Sequence, residues 1–241
     1  MRAQKNHGVR RMALAAIAVL GLAACSSGNG GNGSGNGGNG NGPAQVGDDG
    51  TTRMDGSALR TQIDALPMAT LTPDEAAGLT QMREEEKLAH DVYVALYDKW
   101  QLKPFSNISS AEQTHSDAVK MLLDRYSLAD PAAGNAEGVF TNPDLQALYT
   151  TLVAQGSTSL VDALTVGAAI EDLDIADLQA LTTTTPDIKL VYDNLEKGSR
   201  NHMRAFTKQL VKNGAEYTPT HISQADYDAI IAGDMERGMA G

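Results

Sequence analysis

The chain has 241 residues, 41% of them hydrophobic, with 19 Lys and Arg against 30 Asp and Glu for a net charge of −11. That acidic balance excludes electrostatic docking on nucleic acid or on anionic lipid. The single cysteine excludes an internal disulfide, a zinc ribbon and a cysteine-held iron–sulfur cluster.

The first residues read as an export leader. Arg2, Lys5, Arg10 and Arg11 precede an apolar run from Met12 to Ala24, too short to span a bilayer but suited to a signal peptide. The run ends in Leu22-Ala23-Ala24-Cys25, which resembles the bacterial lipobox. The resemblance implies cleavage after Ala24 and acylation of Cys25, so the protein is expected to be exported and held by lipid at a membrane surface of the cell envelope. Losing the four leader cations leaves the mature chain still more acidic, so attachment falls to the acyl group rather than to a basic patch. Residues 26–42 are almost all Gly, Asn and Ser and read as a flexible tether. The expected organisation is a signal peptide over 1–24, a lipid-anchored linker over 25–57 and one folded domain over 58–241.

From there the pattern is helical. Thr72-Pro73-Asp74-Glu75 is a helix start, followed by Leu79, Met82, Ala89, Tyr93, Leu96 and Trp100 at spacings of three and four. Pro104 marks a turn, and Ser106 or Ser109 is expected to cap a second helix carrying Ala111, Ala118, Val119, Leu122 and Tyr126. Residues 127–141 form a long connection, and Asn142-Pro143-Asp144 opens a short helix ending near Gly156. Ser157 or Ser159 caps a third long helix bearing Val161, Leu164, Ala168, Ile175 and Leu178. Threonines 182–185 interrupt it. Thr185-Pro186-Asp187 starts the last long helix, which runs to about Gly214, and a short one follows Ser223. Two helical hairpins joined by a long crossover suit an all-α, ferritin-like four-helix bundle, with the short extra helix carried on the crossover between helices 2 and 3.

Polar residues share the apolar stripes. At about 100° per residue, Glu86 aligns with Leu79, Met82 and Tyr93; Glu112 and His115 align with Val119 and Leu122. Glu171 lies between Ala168 and Ile175 with Asp174 one turn on, and His202 lies between Gly198 and Phe206. Glu85 lies about as close to its stripe as Glu86, and Glu84 to Glu86 together can be read as a solvated face. Burying a carboxylate costs several kcal/mol unless it is neutralised, so acids and imidazoles on inward faces call for a shared cation. Glu112-x-x-His115 puts both groups on one helical face, as in di-iron carboxylate bundles. Glu86 and His115 are roughly equidistant from the 101–105 turn, and Glu171, Asp174 and His202 from the 182–186 turn. All six candidate ligands can therefore share one level.

The run Glu86-Lys87-Leu88-Ala89-His90-Asp91-Val92-Tyr93 resembles the first metal-binding helix of rubrerythrin-type proteins, Glu-x-x-Ala-x-x-x-Tyr. Glu112-x-x-His115 looks like their second helix and Glu171-x-x-Asp174 is similar to their third. The stretch from Met82 to Phe206 resembles a prokaryotic ferritin-like domain of unknown function, number 2202. The resemblance implies two metal ions, iron first and manganese or zinc also suited, with Glu86, Glu112, His115, Glu171, Asp174 and His202 as ligands. Ser199 stands where a second Glu-x-x-His would place its acid, so the second pair is incomplete unless Asp174 compensates. There is no cysteine-rich iron domain, so rubrerythrin peroxidase chemistry does not carry over automatically. His7, His90 and His221 are read as leader or surface residues, and Tyr93 and Tyr126 as core or supporting groups. The expected function is a lipid-anchored di-metal protein that oxidises ferrous iron or reduces oxygen or peroxide. The alternative is a surface protein that buffers metal without turnover. A storage cage is not expected, because a lipid on every subunit would crowd a closed shell.

Overall fold

A computed structural model describes residues 44–47 and 49–238. Cys25, the leader and the tether lie outside the described residues. The described elements are strands β1 (Ala44–Val46) and β2 (Thr52–Met54), and helices α1 (Gly56–Ala65), α2 (Pro73–Trp100), α3 (Lys103–Arg125), α4 (Pro143–Gly156), α5 (Leu160–Ala180), α6 (Pro186–Lys212) and α7 (Gln224–Ala232). Among the described residues the fold is all-α apart from one short antiparallel hairpin, which pairs Ala44 with Met54 and Val46 with Thr52.

Local chemistry accounts for the helix ends. The Thr72 hydroxyl accepts from the Glu75 N–H at 3.2 Å while the Glu75 carboxylate accepts from the Thr72 N–H at 2.9 Å, a reciprocal cap on α2. Asn142, Ser159 and Ser223 cap α4, α5 and α7 through their side chains. The α2–α3 turn is tighter than expected. Gln101 adopts a left-handed conformation, and Leu102 rather than Ser106 or Ser109 is the cap of α3. Pro104 sits inside the first turn of α3, where its missing N–H leaves no hydrogen bond unmade.

The long helices contact in a ring: α2 packs on α3, α3 on α6, α6 on α5 and α5 on α2, with α4 laid against α2 and α5. Two apolar clusters fill the interior. One contains Tyr93, Phe105, Leu164 and Phe206. The other contains Leu79, Met82, Val119, Leu122, Val191 and Leu195. No described helix is long and apolar enough to cross a membrane.

Two further expectations need correction. The linker expected to run to Ser57 ends by Ala44: β1 and β2 dock on α3 and α6, and α1 follows with Leu59 and Ile63 buried. The reading of Glu84 to Glu86 as a solvated face fails, since all three are buried. For Glu84 the crossover is the reason. The Glu84 carboxylate accepts the Thr141 and Asn142 N–H groups at 2.5 and 3.0 Å, and Arg83 pairs with Asp130 at 3.0 Å. Asp91, bonded to His90, accepts the Gly138 N–H at 2.8 Å.

Candidate metal centre

Between the two apolar clusters lies a layer of ionisable groups, one or two from each long helix. Glu86 comes from α2, Glu112 and His115 from α3, Glu171 from α5 and His202 from α6, and none is more than 2% exposed. Glu112 is the hub. Its Oε2 lies 2.8 Å from His115 Nδ1 and its Oε1 lies 2.8 Å from His202 Nδ1. Glu86 flanks His115 Nδ1 at 3.5 Å, and Glu171 flanks His202 Nδ1 at 3.6 Å. The imidazole rings stack with centroids 5.5 Å apart and planes 19° from parallel. The result is a near-symmetric set in which each side holds one histidine and one glutamate, and Glu112 is shared.

Asp174, the sixth expected ligand, is half-buried and does not approach either imidazole this closely. It accepts a hydrogen bond from the Ser199 hydroxyl, so the serine that replaces the expected acid orients the aspartate of the facing helix. Asp174 also lines a cavity of about 20 Å³ with Glu85, Glu86, Glu112 and Glu171, walled by Leu88, Leu145 and Leu148. That volume admits a water or a small ion rather than an organic molecule. Glu85 faces this cavity without reaching the histidines, so the choice between neighbours falls to Glu86, which lies beside His115.

Charge in this layer is finely opposed. Burial, with Glu112 nearby, outweighs the histidines and pushes the Glu86 and Glu171 carboxyls up to about 7. Burial would lower the His202 imidazole, but Glu112 and Glu171 hold it up at about 9. Burial is likewise overcome at Glu112, where the two imidazoles keep the carboxyl far below its ordinary range.

Hydrogen bonding leaves the layer incomplete. Glu86 Oε1, Glu112 Oε1, His115 Nδ1 and His202 Nδ1 are buried, and none makes a hydrogen bond of acceptable alignment. The 2.8 Å approaches thus place nitrogen and oxygen side by side without aiming N–H at oxygen. One ligand atom from each of Glu112, His115 and His202 lies within 4.8 Å of the others, close enough to serve one ion. Carboxylates plus neutral imidazoles suit iron, manganese or zinc, so the residues present fit the group that their types imply.

Three features support the set, and the first two were not assigned from sequence. His115 Nε2 lies 2.9 Å from the Thr52 carbonyl, which can only accept, so Nε2 carries a proton and Nδ1 faces the carboxylates. Gly198 leaves room for that ring: a Cβ there would meet His115 Cε1 at 2.5 Å. Tyr93, expected as a core or supporting group, donates to Glu171 Oε1 at 2.5 Å. A glycine on an apolar stripe opposite a histidine is the one signal that could have pointed to Gly198.

Residues 75–234 match the sequence profile of an uncharacterized protein domain, DUF2202. The chain is 54% identical over 179 residues to uncharacterized protein MJ0754 of Methanocaldococcus jannaschii, covering 73% of this chain and 97% of that one. The crystal structure of hypothetical protein MJ0754 from Methanococcus jannaschii superposes with a TM-score of 0.70 at 53% identity, covering 71% of this chain and 99% of the other.

Proposed function

This chain belongs to the DUF2202 family, and we propose that it is a ferritin-like di-metal protein whose centre oxidises ferrous iron or reduces oxygen or peroxide. The four long helices are read as a ferritin-like bundle with α4 on its crossover. The observation that carries the reading is Glu112, whose two oxygens each lie 2.8 Å from a buried imidazole Nδ1. Glu112, with Glu86 and His115 on one side and Glu171 and His202 on the other, would hold the metal. Asp174, held by Ser199, supplies the remaining acid. Bound iron would supply one-electron chemistry and open positions for a small oxidant.

The residues divide the remaining work. Thr52 fixes the His115 tautomer, and Tyr93 orients Glu171 through its hydroxyl. Leu88, Leu145 and Leu148 narrow the approach, so bulk water is excluded while a small molecule or ion passes. Cys25, acylated after cleavage of the leader, would tether this domain to a membrane of the cell envelope. Changing Cys25→Ser is expected to release the protein from the membrane fraction.

Metal analysis of the purified protein tests the reading, followed by oxygen and peroxide consumption after loading with ferrous iron. Two metals per chain and turnover support it. Stoichiometric binding without oxidation would make the protein a metal buffer instead, and indifference to transition metals would end the metal reading altogether.

A further inference from the structure

The hairpin β1–β2 lies outside the four ligand-bearing helices, yet it reaches their centre. Thr52 is 1% exposed, and its carbonyl oxygen is the atom that faces His115 Nε2. The residues that pin the hairpin are chain neighbours of the ligands themselves. Thr114, beside His115, accepts the Met54 N–H at 2.9 Å, and Asn201, beside His202, donates its Nδ2 to Thr52 Oγ1 at 3.0 Å. Gly50 makes the close approach possible. Its φ of +89° suits glycine, and a Cβ there would meet Ala205 Cβ at 2.5 Å and the Asn201 carbonyl at 2.8 Å. Asn201 also bonds the backbone of Glu236 in both directions, so the hairpin and the C-terminal segment are fastened at one point on α6. The hairpin packs on α3 and α6, whereas the cavity beside the centre is lined from α2, α3, α4 and α5.

We propose that this N-terminal hairpin is a working part of the metal centre, with Thr52 as a positioning residue whose backbone carbonyl holds His115 Nε2–H and turns Nδ1 toward the cation. The proposal rests on the reading of the layer as a metal centre. It also makes the two halves of that centre unequal. Among the described residues, His202 Nε2 is buried with no hydrogen-bond partner, so the hairpin serves one imidazole and not the other. A ligand histidine gains basicity and a fixed ring orientation when its second nitrogen donates to a carbonyl, and losing such a partner lowers metal affinity by roughly 10–100-fold.

Gly50→Val in the full chain lifts the hairpin from α6 without touching a ligand. Two readouts follow, the His115 Nε2–H proton resonance, in metal-free and zinc-loaded protein, and a zinc titration that resolves two positions. In the unaltered protein the resonance is expected to be sharp and slowly exchanging in both states. Gly50→Val is expected to abolish it or speed its exchange at least about tenfold, and to weaken one zinc position by roughly 10–100-fold while sparing the other. Thr114→Val, which removes the acceptor for the Met54 N–H, is read in the same way if Gly50→Val does not fold. A Met54 amide that exchanges freely while the His115 resonance and both zinc affinities stay unchanged would overturn the proposal. Absence of zinc uptake by the unaltered protein would sink the metal reading, and the proposal with it. Because the His115 resonance is read without metal, that failure is distinct from failure of the Thr52 contact.

Discussion

Replacing Gly198 with alanine isolates the packing that holds His115 in place. In an open helix interior the change would stabilise by about 1 kcal/mol, because glycine loses more backbone freedom than alanine on folding. Here the added Cβ would meet His115 Cε1 at 2.5 Å, Nε2 at 2.9 Å and Nδ1 at 3.5 Å. The ring has little freedom to yield. Nε2 is bonded to Thr52, and Nδ1 lies between Glu112 and Glu86. Overpacking of this kind costs about 1–3 kcal/mol, so the two effects leave a net loss of up to roughly 2 kcal/mol. The assay is urea unfolding of the metal-free protein for Gly198→Ala, His115→Ala and the double variant. With the imidazole gone the clash disappears, so Gly198→Ala is expected to stabilise the His115→Ala background by up to about 1 kcal/mol while destabilising the unaltered one. A change of sign between backgrounds is the signature. Equal effects in both would show that Gly198 does not position the ring. Metal titration of the single variant is expected to lose affinity by roughly 10–100-fold, since the ring must leave the orientation its partners set.

Gly167→Ala tests the core beside the centre: its Cβ would fall 2.6–2.8 Å from three atoms of the Phe206 ring, itself packed 5.2 Å from Tyr93 between centroids, and after the helical gain of alanine urea unfolding is expected to report a net loss of up to roughly 2 kcal/mol. Glu75 ties the start of α2 to the turn before α6. Burial would raise its carboxyl, but hydrogen bonds from Thr183, the Thr72 backbone and Thr185 hold it at about 2. A folded-state value below the unfolded one stabilises above about pH 4.5, and the benefit drains away as pH falls toward 2. Because this group is partly solvated, we expect Glu75→Gln to cost only about 1 kcal/mol at pH 7, with the gap closing near pH 2.5; a pH-independent gap contradicts the assignment. Asp172 is fully buried and accepts from the Tyr217 hydroxyl and from the N–H groups of Thr220, His221 and Ile222. Asp172→Ala is expected to free this loop, with faster amide hydrogen exchange at 220–222 and a stability loss of about 2–3 kcal/mol.

Much of the helical outline is written locally. Thr72-Pro73, Asn142-Pro143, Ser159, Thr185-Pro186 and Ser223 each start a helix where their own chemistry demands one, because a cap or an N-terminal proline acts within a single turn. Helical periodicity likewise turns Glu86, Glu112, His115, Glu171 and His202 inward, and their burial follows from neighbours three and four residues away. Local signals do not extend to what other segments cover. Glu84 looks like part of a solvated face until the crossover lies across α2, and nothing in the sequence around Asp174 announces the hydrogen bond it takes from Ser199 of the facing helix. The hairpin Ala44–Met54 has no alternating pattern to announce it, because its strands are held by a platform on α3 and α6 that lies about 60 to 150 residues further along the chain. The Thr52 carbonyl makes the point most sharply. Every residue carries such an oxygen, so its role at His115 has no side-chain signature and comes only from where the folded chain brings it.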